Sequence, residues 1–217
     1  MLELLSERHA PVGRILCLGA HCDDIEIGCG GTVMKLLETR PDVKVDWIVF
    51  TSDDERAAEA RAGAAAVLAG AAEANVVLRD FRQRYLPFEG DEVKEYFDEI
   101  GATIRPDLIF THYCDDLHQD HRLLAELTYN TWRDRLILEY EIPKWDGDLG
   151  RPNVYVRLDP PHAERKVETI WDAFASQRDK HWFTKETFFA LMRLRGIECK
   201  APSGYAEAFH CRKLVLA

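Results

Sequence analysis

A short apolar run, Arg14-Ile15-Leu16-Cys17-Leu18-Gly19, leads directly into the polar stretch Ala20-His21-Cys22-Asp23-Asp24. An unbroken apolar run of this length reads as a strand buried on both faces, and such a strand needs helices above and below its sheet. The following residues supply them. Gly28-Cys29-Gly30-Gly31 opens a predicted helix through Val33, Leu36 and Leu37 that ends near Pro41. Val45–Thr51 is read as the second strand, and Glu55–Ala69, rich in Ala, Arg and Glu, as a helix stopped at Gly70. Asn75–Leu78 is a short third strand. Glu92–Ile104 places Val93, Phe97, Ile100 and Ile104 at helical spacing and ends before Pro106. Asp107–Thr111 is a further strand and His118–Arg133 a further helix. This alternation predicts an α/β fold, a mainly parallel sheet with helices on both faces and right-handed connections.

From about residue 135 the pattern is less regular. Leu136–Ile142 and Val154–Arg157 read as strands around a polar loop at 143–150, Ala163–Ala175 and Lys185–Arg195 as helices, and His210–Leu216 as a closing strand. With no internal repeat or linker, the 217 residues are expected to form one domain of Rossmann-like architecture. A net charge of -10 argues against a nucleic-acid backbone or an anionic membrane as the main partner. No run approaches the ~20 apolar residues of a membrane span. Met1–Val12 carries Glu3, Glu7, Arg8 and His9 without an apolar core, so no secretory leader is expected. The cysteines at 17, 22, 29, 114, 199 and 211 form no C-x-x-C pair, which fits free thiols in the cytoplasm.

A second polar cluster, His118-Gln119-Asp120-His121, follows the strand-like run 107–111. Both clusters thus stand at carboxyl ends of predicted strands, where open α/β sheets place their ligands. Histidine nitrogens and carboxylate oxygens bind zinc, and a catalytic zinc usually keeps three protein ligands and an open position. His21 and Asp24, like His118 and His121, are three residues apart, a spacing that aligns side chains on one face of a helical turn. Asp23, beside Asp24, is then placed to act as general base on metal-bound water. Taken singly each cluster has a plainer explanation. An Asp-Asp pair after a strand commonly caps a helix, and His-x-x-His is weaker than H-E-x-x-H. It is their joint placement that favours one shared site. Cys22 and Cys29 lie nearby, as soft ligands or as small core residues, whereas Cys17 reads as core. The Gly28–Gly31 run also resembles a nucleotide or S-adenosylmethionine loop, but no G-x-G-x-x-G is present and close helix–sheet packing explains it more simply. Asp53-Asp54 allows a ribose contact, an acidic loop being the commoner case.

The motif Ala20-His21-Cys22-Asp23-Asp24 with Gly28, together with His118-Gln119-Asp120-His121, closely resembles the PIG-L (LmbE-like) family of zinc-dependent N-acetyl-sugar deacetylases. The similarity extends to Arg56-Ala57-Ala58-Glu59, Arg105-Pro106-Asp107, Ser176-Gln177 and Glu207-Ala208-Phe209. It implies His21, Asp24 and His121 as ligands of one zinc, or another divalent metal, per chain. It implies Asp23 as the general base, His118 as the positively charged stabiliser of the oxyanion or the acid to the leaving amine, and Asp120 as the group orienting His118. Arg56, with Glu59, would contact sugar hydroxyls, or else form an ordinary surface pair. Trp145 in the segment 138–146 would stack on a sugar ring, or else pack at a strand end. His162 and His181 read as surface or loop histidines. Two departures stand out. Relatives usually have proline at Cys22 and often at Gln119, and they often offer Tyr or Arg just before the second motif, where this chain has Asp115-Asp116-Leu117. An anion there would repel an oxyanion, and a reactive Cys22 would make the site sensitive to thiol reagents.

The expected function is therefore zinc-dependent removal of an acetyl group from the amine of an N-acetylglucosamine-type sugar or glycoconjugate, in a chain that is often homo-oligomeric among relatives. The alternatives are a zinc amidase acting on a non-sugar small amide, a non-catalytic sugar-binding protein, and, more distantly, a nucleotide- or S-adenosylmethionine-binding protein.

Overall fold

The computed structural model describes residues 12–215. The leader expectation for residues 1–11, and Leu216 of the expected last strand, lie outside them. β1 (Arg14–Gly19) pairs in parallel with β2 (Lys44–Val49) on one side and β4 (Leu108–His112) on the other. β3 (Glu73–Leu78) extends the sheet beyond β2, and β5 (Leu136–Tyr140) beyond β4, both parallel. β6 (Val154–Leu158) and β7 (Tyr205–His210) add an antiparallel edge, giving a seven-stranded sheet in the order β3-β2-β1-β4-β5-β7-β6.

Alternation along β1 explains why both faces must be covered. Ile15 and Cys17 join the core beneath α1 (Asp24–Thr39), α2 (Asp54–Val67), α5 (Pro160–Ala173) and α6 (Lys185–Glu198). Leu16 and Leu18 join the opposite core, beneath α3 (Gly90–Thr103) and α4 (Gln119–Thr131). The chain leaves β1 in one direction along the sheet and returns to its other side as β4. The crevice at the carboxyl ends of β1 and β4 is thus a topological switch point, where open α/β sheets bind ligands. No described helix is long and apolar enough to cross a membrane.

Two boundaries differ from expectation for physical reasons. α1 starts at Asp24, not at the glycines, because Asp23 already occupies the N-cap and its carbonyl accepts from Ile27 N–H at 3.1 Å. The glycines fall inside the helix. A Cβ on Gly28 would stand 2.2 Å from Cδ2 of Tyr140, so the glycine lets α1 press against β5. The closing strand is 205–210 and overlaps the expected 210–216 only at His210. Its interior carries Glu207, which argues against a strand by hydropathy. That carboxylate is matched by Lys166 Nζ at 2.5 Å and by the backbone N–H groups of Gly31 and Thr32 at 3.0 and 2.6 Å. Val215, from the apolar run expected to pair, is 83% exposed.

Gly28→Ala should therefore lower stability by about 1–3 kcal/mol through overpacking, a fall of roughly 3–10 °C in Tm. An unchanged Tm would show that α1 and β5 have slack that this packing denies.

Candidate metal centre

Each group at the switch point is delivered by a strand end or a helix start. β1 ends into His21, the first turn of α1 carries Asp24 after Asp23, β4 ends on His112, and α4 begins with His118 as N-cap, then Asp120 and His121. His21, Asp23, Asp24, His112, Asp116, Asp120 and His121 are all buried. Three atoms converge: His21 Nδ1 lies 3.1 Å from His121 Nε2 and 3.2 Å from Asp24 Oδ2, and His121 Nε2 and Asp24 Oδ2 are 3.5 Å apart. Ligand atoms about 2.0–2.1 Å from a tetrahedral ion stand roughly 3.3–3.4 Å apart, so this triangle fits a zinc-sized cation.

The outer hydrogen bonds say which lone pairs face inward. His21 Nε2 lies 3.2 Å from Asp120 Oδ2, and His121 Nδ1 lies 2.9 Å from Asp116 Oδ2. Each ring donates outward to a carboxylate, which turns its other nitrogen's lone pair towards Asp24. Three acceptors then face one another, an arrangement that only a proton or a cation makes favourable. Carboxylate partners of this kind orient metal-binding histidines and raise their basicity. Electrostatics agree. Burial opposes charge on Asp24, yet His121, His112 and His21 hold its carboxyl well below the usual range.

The structure brings together His21, Asp24, His118 and His121, and it adds two groups that the sequence did not single out for the site. His112 is fully buried, stacks on His121 at 3.8 Å and approaches Asp24 Oδ2 at 3.3 Å. Its Nε2 also accepts from Ala20 N–H at 2.9 Å, so it braces the turn after β1. A histidine closing an otherwise apolar strand is the signal that marks it, the same signal that marks His21. Asp116 is the second. Its expected repulsion of an oxyanion is corrected here: the carboxylate is occupied by His121 Nδ1, by Lys144 Nζ at 2.9 Å and by His118 N–H at 2.7 Å. Lys144 in turn contacts Asp148 at 2.5 Å.

Other assignments shift as well. Asp120 does not orient the His118 ring through its carboxylate, which goes to His21 and to Arg84 N–H at 2.7 Å. The tie to His118 is through the backbone, Asp120 N–H donating to His118 Nδ1 at 3.2 Å. Burial first, and then His21, lower the pKa of His118, which corrects the positive charge expected on it, and acceptance at Nδ1 leaves its proton on Nε2. Arg56 is no free surface residue. Its Nη2 lies 2.9 Å from Asp23 Oδ1, and its Nη1 lies 3.1 Å from Glu59 Oε2. Glu59 is held by Ser176 Oγ at 2.7 Å. Among the described residues, Asp23 Oδ2 takes no hydrogen bond. Trp145 is 70% exposed and its ring meets His181 at 4.2 Å, outside the hydrogen-bonded cluster. Cys22 turns away from the donors, donating to Thr51 O at 3.4 Å, and burial pushes its thiol to about 12. That makes it a poor nucleophile and corrects the expected thiol sensitivity. Asp53 caps α2 by accepting from Arg56 N–H at 2.9 Å.

Fold and donors together define an α/β protein with a histidine–carboxylate centre at the sheet's switch point. Comparison with known proteins gives the family. The sequence matches PIG-L, described as GlcNAc-PI de-N-acetylase, over residues 16–132, and the chain belongs to this family. Its structure is similar to the conserved protein TT1542 from Thermus thermophilus, at TM-score 0.76 and 18% identity over 95% of this chain and 97% of that one. It is similar to N,N'-diacetylchitobiose deacetylase from Pyrococcus horikoshii, at TM-score 0.67 and 19% identity over 93% and 84%. It is also similar to GalB, the 4-carboxy-2-hydroxymuconate hydratase from Pseudomonas putida, at TM-score 0.75 and 16% identity over 94% and 98%. At these identities the likeness establishes the fold alone, and a deacetylase and a hydratase share it.

One consequence concerns the metal-free protein. Burial alone would lower the pKa of His21, but Asp24 and Asp120 outweigh it and raise the ring to about 9. A histidine raised on folding stabilises fully below its unfolded value near 6.5, and that contribution is lost as pH rises towards 9. Burial, with His112, holds His121 at about 3, so it takes no proton in this window. The Tm of metal-free protein should therefore fall between about pH 6.5 and 8.5, below the main titration of thiols. Zinc competes for the same ring nitrogen and should flatten the slope. A metal-free profile already flat would contradict this electrostatic picture.

Proposed function

We propose that this protein is a zinc-dependent N-deacetylase that hydrolyses the acetamide of an N-acetylglucosamine-type sugar or conjugate. The observation that carries the reading is the inward-facing triangle of His21 Nδ1, Asp24 Oδ2 and His121 Nε2, with the uncommitted Asp23 Oδ2 beside it. Membership of a family described as a de-N-acetylase supports the reaction class. A cation held by His21, Asp24 and His121 would supply Lewis acidity towards water and the amide carbonyl.

The remaining work belongs to the chain. Arg56 clamps Oδ1 of Asp23, which leaves Oδ2 as the acceptor for the proton of the attacking water. The Glu59–Ser176 contact fixes Arg56 in turn, so the Arg56-x-x-Glu59 pair is read as holding the base rather than as the first contact with sugar hydroxyls. His118, neutral with its proton on Nε2, is the hydrogen-bond donor for the developing oxyanion, and the proton that Asp23 Oδ2 takes from the water is the one returned to the departing amine. The Asp116–Lys144 pair keeps the neighbouring anion neutralised. A small amino-sugar substrate and a cytoplasmic setting complete the proposal, the latter on cysteines that are all free thiols.

The role split is testable by two variants. Asp23→Ala should keep near-stoichiometric zinc and lose about 100-fold or more in amine release, the typical worth of a positioned base. His121→Ala should lose the metal itself. Equal metal loss in both variants would overturn the assignment of Asp23 as base. Zinc retention with release only from non-sugar amides would move the substrate class to the amidase reading.

A further inference from the structure

The turn 82–85 beside the metal centre holds a conformational anomaly. Tyr85 N–H donates to Arg82 C=O at 3.1 Å, and Arg84, third in the turn, has φ +69°. A positive φ at that position is the place of glycine or asparagine. Of the described non-glycine residues with positive φ, Lys200 lies just past the end of α6, where left-handed residues commonly terminate helices. Arg84 ends no helix. Its conformation is imposed from α4: Asp120 Oδ2 accepts from its N–H at 2.7 Å, and the Gln119 side chain donates to its C=O. The backbone thus needs a left-handed residue here, and the chain supplies an arginine where glycine would serve without strain. Strain retained at a site, against an easier residue, points to a use for the side chain.

The charge balance around the centre bears on that use. Arg56 is engaged by Asp23 and Glu59, and Lys144 by Asp116 and Asp148. In the same turn region, Arg82 stacks on Tyr85 and Arg79 on Tyr96. Arg84 is exposed, and its guanidinium takes no partner among the described residues. Its amide nitrogen is bonded to the same Asp120 oxygen that lies 3.2 Å from His21 Nε2. An arginine side chain reaches roughly 6–7 Å from its Cα at ordinary bond lengths, and this one starts from a backbone that a single carboxylate separates from His21. A guanidinium fork matches carboxylate and phosphate oxygens.

We propose that Arg84 is a specificity residue that binds an oxyanion on the substrate, so that the amino sugar accepted here carries a carboxylate or phosphate. This rests on the deacetylase reading for its sugar and stands apart from it for its anion. The test compares kcat/KM for amine release from neutral methyl N-acetylglucosaminide, N-acetylglucosamine 1-phosphate and an N-acetylglucosaminide of a hydroxy acid. The native enzyme should favour one anionic substrate over the neutral one by about 10- to 100-fold, the worth of a charge-assisted pair. Arg84→Asn keeps the N–H and tolerates the left-handed backbone. It should collapse that ratio towards one, chiefly through KM, while Arg84→Lys retains part of it. The phosphate and carboxylate arms identify which oxyanion is meant. In parallel, calorimetry on the zinc-loaded protein compares the corresponding free amines. An anion preference in binding that vanishes in Arg84→Asn supports the proposal even if no acetamide is hydrolysed, an outcome that would sink only the deacetylase reading. A native ratio near one, or a ratio unchanged in Arg84→Asn, overturns the proposal.

Discussion

Three electron-pair donors pointed at one another, His21 Nδ1, Asp24 Oδ2 and His121 Nε2, form the contact on which the rest of this structure turns. Left alone they repel. Burial makes the repulsion worse, because little water reaches the gap to screen it. The protein nonetheless reinforces the arrangement from outside, placing Asp120 behind His21 and Asp116 behind His121 so that neither ring can turn its N–H inward without losing a partner. A buried cluster of this sign is stable only around a positive charge.

The fold supplies this geometry through its topology. β1 and β4 lie side by side, but one leads into α1 and the other into α4, so the chain segments leaving them diverge around a crevice. Ligands from sequence positions about a hundred residues apart meet there because the strands are in register, Ile15 opposite Leu108 and Cys17 opposite Phe110. The glycines of α1 let that helix pack tightly on the β5-β7-β6 side of the sheet, Gly28 against Tyr140 and Gly31 against Leu158 and Glu207. The irregular second half therefore anchors the helix whose first turn carries Asp24. It also sends Lys144 to Asp116, which ties the 143–150 loop to the donor shell.

The parallel half of the fold was legible in the sequence because the cores of β1 and β4 are unbroken apolar runs, α3 repeats its apolar residues at helical spacing, and α2 is rich in strong helix formers. The edge strand 205–210 was not, since Glu207 hides its burial until Lys166, 41 residues earlier, is seen to neutralise it. Local pattern carries no information on such a partner. The same limit applies at the centre. The histidines and carboxylates of both motifs could be read as one cluster, but which carboxylate faces which ring could not. Asp120 serves His21 across the crevice rather than its neighbour's ring, and Asp116, an apparent liability in the sequence, serves His121. His112 stayed hidden as the last residue of a strand, although a polar group closing an apolar run was already the mark of His21.

The most direct test of this account is the position of the metal itself, from a crystal of zinc-loaded protein measured at the zinc absorption edge. One anomalous peak within bonding distance of His21 Nδ1, Asp24 Oδ2 and His121 Nε2 is the predicted result. No peak at the switch point, or a peak bound by His112 in place of His21, would contradict it.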